Sequence, residues 1–503
     1  MKNEKLEQFE KSIKSKKVAI IGLGISNIPL IDYFYKNGAY VAIFDNRKEE
    51  ELNEDIITKI KEYNFIYIGG ENNLTELKGF DIIFRSPSCL PTRPELEAEK
   101  KRGAIITSEI EMLMKLAPCK IIGVTGTEGK TTTSSIIYSI VKEAGYTCYL
   151  GGNIGNPIFT KLDTINENDV IILEMSSFQL MDMEVSPNIS LVTNIYPDHL
   201  NVHKDMDEYV DSKKNIFLHQ NADDLVVLNY DNEITRTFEK DAKGNVIFFS
   251  SKEKLQNGYI YDKDSGNIVL CKNCVQTNII HKSEIKLRGI HNYENICAAL
   301  AVTAFLVDTE TQVKAIKEFI GVEHRLEFVR EIDGVKYYND SIGTSPASTI
   351  AGLNAFDENI ILLAGGSDKG LDYTEIGEKI AEKVGTLILC GPTSKIIEDA
   401  VNRALKNRNT MSNDNYDLQN LDLSSNDNAE IDDKSQFNSN FKKQINIIHV
   451  NNMQEAVLKA KENAKSGDIV LLSPASASFD LYKNFAERGK VFKDYVDKIK
   501  IIW

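Results

Sequence analysis

The chain has 503 residues, 42% of them hydrophobic and 26% charged, a composition ordinary for soluble globular protein and too long for one core, so two to four domains are expected. Its 59 lysines and arginines against 74 aspartates and glutamates leave a net charge of −15, which excludes general affinity for nucleic acid because neutralising phosphates needs a basic surface. The seven scattered cysteines suit a reducing compartment, and the lone Cys271-Lys272-Asn273-Cys274 lacks the second ligand pair of a zinc site.

The first seventeen residues are charged and helical in pattern, without the apolar stretch of a signal peptide, and no apolar run is long enough to span a bilayer. Lys17-Val18-Ala19-Ile20-Ile21 then predicts a buried strand, followed by the turn Gly22-Leu23-Gly24-Ile25-Ser26-Asn27, a helix near 29–36 and a second strand, 40–45, ending in Asp45. This is the opening of a Rossmann-like unit, but Asn27 stands where a dinucleotide site has its third glycine. Residues 81–88 predict another strand running into a polar turn. Ala117-Pro118 marks a domain boundary.

Beyond it, the strand 120–124 leads into Gly123-Val124-Thr125-Gly126-Thr127-Glu128-Gly129-Lys130-Thr131-Thr132-Thr133 and a helix. Strand, glycine-rich loop, Lys-Thr and helix form a phosphate-binding layout. Backbone N–H groups and the helix N-terminus face the anion, the lysine neutralises the outer phosphates and a hydroxyl reaches Mg²⁺. The glycines recur every third residue, unlike the common spacing. A strand at 169–174 ends in Glu174, placed as the acids that hold nucleotide-bound Mg²⁺ are. Another, 190–195, leads to Tyr196-Pro197-Asp198-His199. A helix over 207–219 carries Lys213-Lys214, and a later helix opens with His291-Asn292-Tyr293-Glu294-Asn295, whose two asparagines lie one turn apart and can reach one ligand.

A second boundary falls near Gly321. Glu323-His324-Arg325 precedes the strand 334–340, and three further strand-to-polar-turn units follow at 360–370, 386–392 and 468–480, predicting a third α/β domain. Residues 407–443, rich in Asn, Asp and Ser, interrupt it and are expected to be a mobile insertion with no site. The fold class is thus α/β with three domains: a Rossmann-like domain over 1–116, a central P-loop ATPase-like domain with a mostly parallel sheet over 117–321, and a Rossmann-like domain over 322–503.

The glycine spacing of the loop, His291-Asn292-x-x-Asn295 and Glu323-His324-Arg325 together resemble the Mur ligases of cytoplasmic peptidoglycan precursor synthesis, and the resemblance runs through all three domains. Within that family, Gly22-Leu23-Gly24-Ile25-Ser26, residues 339–346 and residues 471–480 are similar to the members that add D-glutamate. The resemblance implies a cytoplasmic, monomeric enzyme with two small-molecule substrates, UDP-N-acetylmuramoyl-L-alanine and D-glutamate, and with ATP and two Mg²⁺ sites. ATP would phosphorylate the donor carboxylate, and the amine of D-glutamate would attack the acyl phosphate through a tetrahedral intermediate.

Residue by residue, the same resemblance implies catalytic roles for Lys130, Glu174, His199 and Lys213, the last as a carbamate. ATP would meet Gly123, Thr125, Gly126, Thr127, Glu128, Gly129, Lys130, Thr131, Thr132, Asn292, Asn295, Arg325 and Asp340. Mg²⁺ would be held by Thr131, Glu174, His199 and carbamylated Lys213. The UDP-substrate would meet Ile25, Ser26, Asp45, Asn46, Arg47 and Asn153, and D-glutamate would meet Thr344, Lys369, Ser478, Phe479 and Phe485. Two positions depart from the family: Glu128 replaces a common asparagine and is expected to face solvent or metal, and Ile342 replaces a common lysine. An amide ligase with another amino acid or a folate substrate, an NAD-dependent oxidoreductase and a non-catalytic nucleotide-binding scaffold are the alternative readings.

Overall fold

The computed structural model describes residues 3–155, 157–200, 202–368, 370–420 and 445–499. The chain divides into two compact units, Met1–Phe319 and Ile320–Trp503. The first unit contains two sheets and the second contains one.

Short apolar runs bounded by turns give the first sheet: β1 (Lys17–Ile21), β2 (Tyr40–Asp45), β3 (Ile66–Gly69), β4 (Ile82–Arg85) and β5 (Ile105–Thr107). All are parallel, in the order β3-β2-β1-β4-β5. The order reverses between β1 and β4, and the crevice at the carboxyl ends of such a pair is where doubly wound sheets bind ligands. The turn 22–27 leaves β1 there, and Arg85 ends β4.

The second sheet is built from β6 (Lys120–Thr125), β7 (Cys148–Gly152), β8 (Val170–Glu174), β9 (Ile189–Val192), β10 (Leu225–Asn229), β11 (Asn245–Ser250), β12 (Gly258–Asp262), β13 (Asn267–Lys272) and β14 (Val275–His281). Its order is β14-β13-β12-β11-β10-β9-β6-β8-β7, parallel from β7 to β12, with antiparallel hairpins at the far edge. The β8 run Val170-Ile171-Ile172-Leu173 is buried throughout, as a strand covered on both faces must be. The helix Lys130–Glu143 and the alanine-rich helix Ile290–Thr303 share the apolar cluster on one face.

The cluster on the other face does not stop at the second sheet. It continues through Phe159 and Leu162 into Val18, Ile20, Phe34 and Phe84 of the N-terminal sheet. Phe159, fully buried, meets the rings of Phe9, Tyr33 and Phe84 at 6.4, 4.9 and 6.3 Å between centroids. One core therefore serves two sheets, which explains why residues 1–319 form one compact unit.

The second unit holds β15 (Glu327–Ile332), β16 (Val335–Asn339), β17 (Ile360–Ala364), β18 (Val384–Cys390), β19 (Asn446–Val450) and β20 (Ile469–Leu472), ordered β15-β16-β20-β17-β18-β19. Among the described strands, only the β15–β16 pair is antiparallel. The order reverses between β17 and β20, so the loops 365–368 and 473–480 flank a second such crevice. The helix Ser394–Asn420 buries Ile397, Ala400, Val401 and Ala404 and continues to residue 420, into the stretch expected to be an insertion; residues 421–444 lie outside the described residues. Among the described residues no helix is long and apolar enough to cross a membrane.

Candidate active site

β6 delivers its loop between the ends of β8 and β9. Gly129, at φ +81°, caps the helix Lys130–Glu143, and a Cβ there would lie 2.6 Å from Asn295 Oδ1. Gly126, at φ +144°, packs directly on the Thr193 hydroxyl, so only glycine fits. The end of β9 grips the loop. Asn194 accepts the Glu128 N–H at 2.9 Å, and the Thr193 hydroxyl donates to the Glu128 carbonyl at 2.6 Å. The Thr127 hydroxyl lies 2.9 Å from the Tyr209 hydroxyl. With its backbone held on both sides, Glu128 turns its side chain to solvent.

Lys130 Nζ donates to the Gly126 and Thr127 carbonyls at 3.0 and 2.9 Å, poised over its own loop. The Thr131 hydroxyl donates to Glu174 Oε2 at 2.8 Å, and the Asn153 amide donates to Glu174 Oε1 at 3.0 Å. Glu174, 1% exposed, is thereby a carboxylate with both oxygens oriented by neighbours. Asn153, expected to meet the UDP-substrate, is thus anchored to this acid.

The adjacent lysines of the helix Met206–Leu218 separate cleanly. Lys213 is buried, donates from Nζ to the Gly126 carbonyl at 3.0 Å and lies 4.8 Å from the centre of the Tyr209 ring. Burial, and then the Lys130 charge, push its pKa down to about 7. Lys214 turns outward to Asp241 at 2.8 Å. His199 stands at the rim, with its side chain half exposed and φ at +55°, and its Nε2 lies 3.5 Å from Asp198. Its ring lies 5.3 Å from that of Phe178, and among the described residues it makes no hydrogen bond to Thr131 or Glu174.

Asn292 and Asn295 are buried together. Asn295 donates to Asn292 Oδ1 at 3.5 Å, and Asn292 donates to the Arg288 carbonyl at 2.6 Å. Gly123 is buried in β6, Thr125 bonds the Met175 carbonyl at 2.8 Å, and Thr132 is buried in the helix.

At the crevice of the first sheet, Asp45 accepts the Leu23 N–H at 2.7 Å and the Arg47 Nε at 2.8 Å. Burial works to raise its pKa, but the Arg47 guanidinium and the two backbone amides outweigh it and hold it low. Asn46 accepts from Asn73 at 3.0 Å, while Ile25 is exposed and Ser26 half-buried.

In the second unit, Asp340 is 4% exposed and accepts from Ser473 at 2.7 Å and from the Leu326 N–H at 3.2 Å. Burial raises its pKa to about 6. Arg325 Nε is buried without a hydrogen-bond partner among the described residues. The Ser341 hydroxyl donates to the Phe485 carbonyl at 2.7 Å, bringing the Thr344 loop and Phe485 together, and Ser478 is buried. Phe479 is exposed, Ile342 is half-buried with its N–H on the His324 carbonyl at 3.1 Å, and Lys369 lies outside the described residues.

Sequence reasoning missed Thr193, Asn194 and Tyr209, whose contacts hold the loop. Thr193-Asn194 at the end of a buried strand beside the loop strand was the available signal. It also missed Arg488, 3% exposed, which donates to the Ser476 and Ala477 carbonyls at 3.0 and 3.1 Å and to the Ser341 carbonyl at 2.9 Å.

Three family models match the chain: the Mur ligase middle domain over residues 124–303, the Mur ligase glutamate ligase domain over 324–476, and the Mur ligase MurD-like N-terminal domain over 16–108. The chain is 45% identical over 498 residues to UDP-N-acetylmuramoylalanine--D-glutamate ligase of Ruminiclostridium cellulolyticum, covering 99% of this chain and 100% of that protein. The same identity and coverage hold for the enzyme of that name from Acetivibrio thermocellus. Among solved structures, MurF ligase of Thermotoga maritima in complex with ADP aligns with a TM-score of 0.50 at 17% identity, covering 97% of each chain.

Proposed function

The chain belongs to the Mur ligase family, and from that membership we propose that it joins D-glutamate to UDP-N-acetylmuramoyl-L-alanine using ATP, as the names of its full-length relatives describe. The observation that carries the reading is the meeting of Lys130, Thr131, Glu174 and Lys213 around one phosphate-type loop. The γ-phosphoryl group passes from ATP to the donor carboxylate, giving an acyl phosphate and ADP. The D-glutamate amine then attacks the carbonyl carbon, and the tetrahedral intermediate collapses by breaking the bond to the phosphate oxygen. The amine loses its proton, and phosphate leaves.

Lys130 neutralises the outer phosphates, and the loop N–H groups orient them. Asn295, packed on Gly129, and Asn292 serve as nucleotide contacts, and Arg325 and Asp340 are further residues for the same ligand. The oxygen donors Thr131 and Glu174, already paired at 2.8 Å, suit Mg²⁺, with His199 and a carbamate on Lys213 as the further ligands. Bound Mg²⁺ supplies neutralisation of the charge that develops on the transferring phosphoryl group. A buried lysine with a pKa near 7 keeps much of its amine neutral, the form that adds carbon dioxide. Ile25, Ser26, Asp45, Asn46 and Arg47 line the donor's nucleotide end. Thr344, Lys369, Ser478, Phe479 and Phe485 hold D-glutamate. We propose a cytoplasmic monomer with domain boundaries at 116/117 and 321/322.

Phosphate release is measured with ATP, UDP-N-acetylmuramoyl-L-alanine and D-glutamate, each omitted in turn. All three are expected to be required, and release that persists without D-glutamate overturns the assignment. Lys213→Arg, which keeps a cation but forms no carbamate, is expected to lower turnover at least about a hundredfold.

A further inference from the structure

His203 has no role in the chemistry above, yet its side chain is fully buried beside the groups that do. Its Nε2 lies 2.9 Å from the Ser177 hydroxyl. The ring stacks on Phe178 with centroids 4.9 Å apart and planes within 7°, and meets Tyr209 edge-on at 5.3 Å. Nδ1 faces the Glu208 carboxylate at 3.3 Å, outside hydrogen-bond alignment, and has no hydrogen-bond partner among the described residues. The N–H groups of Val202 and His203 both donate to the His199 carbonyl at 3.0 Å.

These contacts fall on three separate segments. Ser177 and Phe178 lie three and four residues beyond Glu174. The His199 carbonyl fixes the loop that carries the rim histidine. Glu208 and Tyr209 open the helix that carries Lys213, and Tyr209 also reaches Thr127 of the phosphate loop. A buried imidazole bonded to one segment, stacked between two and continuous in backbone with the third fixes their spacing. A phenyl ring of similar size would fill the space without the polar tie.

We propose that His203 is a positioning residue, which sets Glu174, His199 and Lys213 at the mutual distances that metal-assisted phosphoryl transfer needs. The inference rests on the reading of this site as the phosphoryl-transfer centre. It acts through the Ser177 bond and the Phe178 stack and touches no reacting atom.

The probe is Mn²⁺, followed by the electron paramagnetic resonance of the free ion, with a non-hydrolysable ATP analogue and full-length protein. His203→Phe is expected to weaken Mn²⁺ binding about tenfold and lower kcat at least tenfold, leaving the chain folded by circular dichroism and the KM for D-glutamate within twofold of the parent value. His203→Gln, which can still reach Ser177, is expected to recover most of both losses. Ser177→Ala removes the same bond from the other side and must reproduce the Mn²⁺ loss, even if His203→Phe fails to fold. Parent-like Mn²⁺ affinity in Ser177→Ala, or equal defects in His203→Phe and His203→Gln, overturns the proposal. Absence of D-glutamate-dependent turnover in the parent protein would instead overturn the functional reading, and the Mn²⁺ measurement would still decide the role of His203.

Discussion

At the scale of single residues, two substitutions of expected residue types acquire physical reasons. Asn27 replaces the third glycine of a dinucleotide turn, and its amide donates to the Ile21 and Gly22 carbonyls at 3.1 and 2.9 Å. The turn is closed by a side chain rather than by a close glycine approach. Asn27→Ala is expected to cost about 1–3 kcal/mol, read from urea unfolding, because the Gly22 carbonyl loses the amide and the Ile21 carbonyl keeps only the Ser86 N–H at 2.9 Å. Glu128, the least expected residue of the phosphate loop, is accommodated because Thr193 and Asn194 hold its backbone while its carboxylate faces water. The sequence reading allowed solvent or metal for this side chain, and the residues whose grip goes with the solvent-facing choice lie more than sixty positions away. Asp340 gives a pH test. Its pKa near 6 places the acid limb of the kcat/KM profile near pH 6 if the ionised carboxylate is required. Ser473→Ala removes a bond to the ionised form and is expected to move that limb upward by about half a unit or more. A limb that stays in place would assign it to another group.

At the scale of elements, the central strands were legible and the edges were not. Residues 17–21, 120–124 and 169–174 announce themselves as unbroken apolar runs, because strands covered on both faces contain little else. β3 and β5, the two edges of the first sheet, and β15 and β19, the two edges of the third, were missed. Each mixes exposed and half-buried positions, such as Glu327-Phe328-Val329-Arg330-Glu331-Ile332, so neither an apolar run nor a clean alternation stands out. The candidate site was legible where one strand end or one loop carries it, and illegible where grip comes from a neighbouring strand, as with Thr193 and Asn194. The helix Glu109–Leu116 supplies a second pH test. Its Glu109 is buried against the Phe159 N–H at 3.0 Å, and burial raises its pKa to about 7. The folded chain therefore holds a proton that the unfolded chain releases near pH 4.5, so Glu109 costs stability progressively as pH rises from about 4.5 to 7. The full cost, on the order of 3 kcal/mol, is present above that window. Glu109→Gln is expected to match the parent below pH 4.5 and exceed it in stability above pH 7, measured by denaturant unfolding at both pH values.

At the scale of the molecule, the sequence suggests three domains, and the chain forms two compact units. Periodicity counts sheets correctly but does not show which sheets share a core. The candidate nucleotide residues divide between the units, with the phosphate loop, Asn292 and Asn295 in one and Arg325 and Asp340 in the other.

The ring cluster around Phe159 bears on how such a chain can be recombined. An architecture of three sheets invites domain exchange, with a foreign N-terminal sheet spliced on at residue 116. The cut would run through a single apolar core, leaving Phe159 to face a surface shaped for other side chains. The smallest transferable cassette is therefore the N-terminal sheet together with the turn Phe159–Lys161 that plugs it, two stretches separated in the gene by the phosphate loop itself. Variation in the N-terminal sheet is in this way tied to variation in the central one, because a substitution on either side of Phe159 is felt by both.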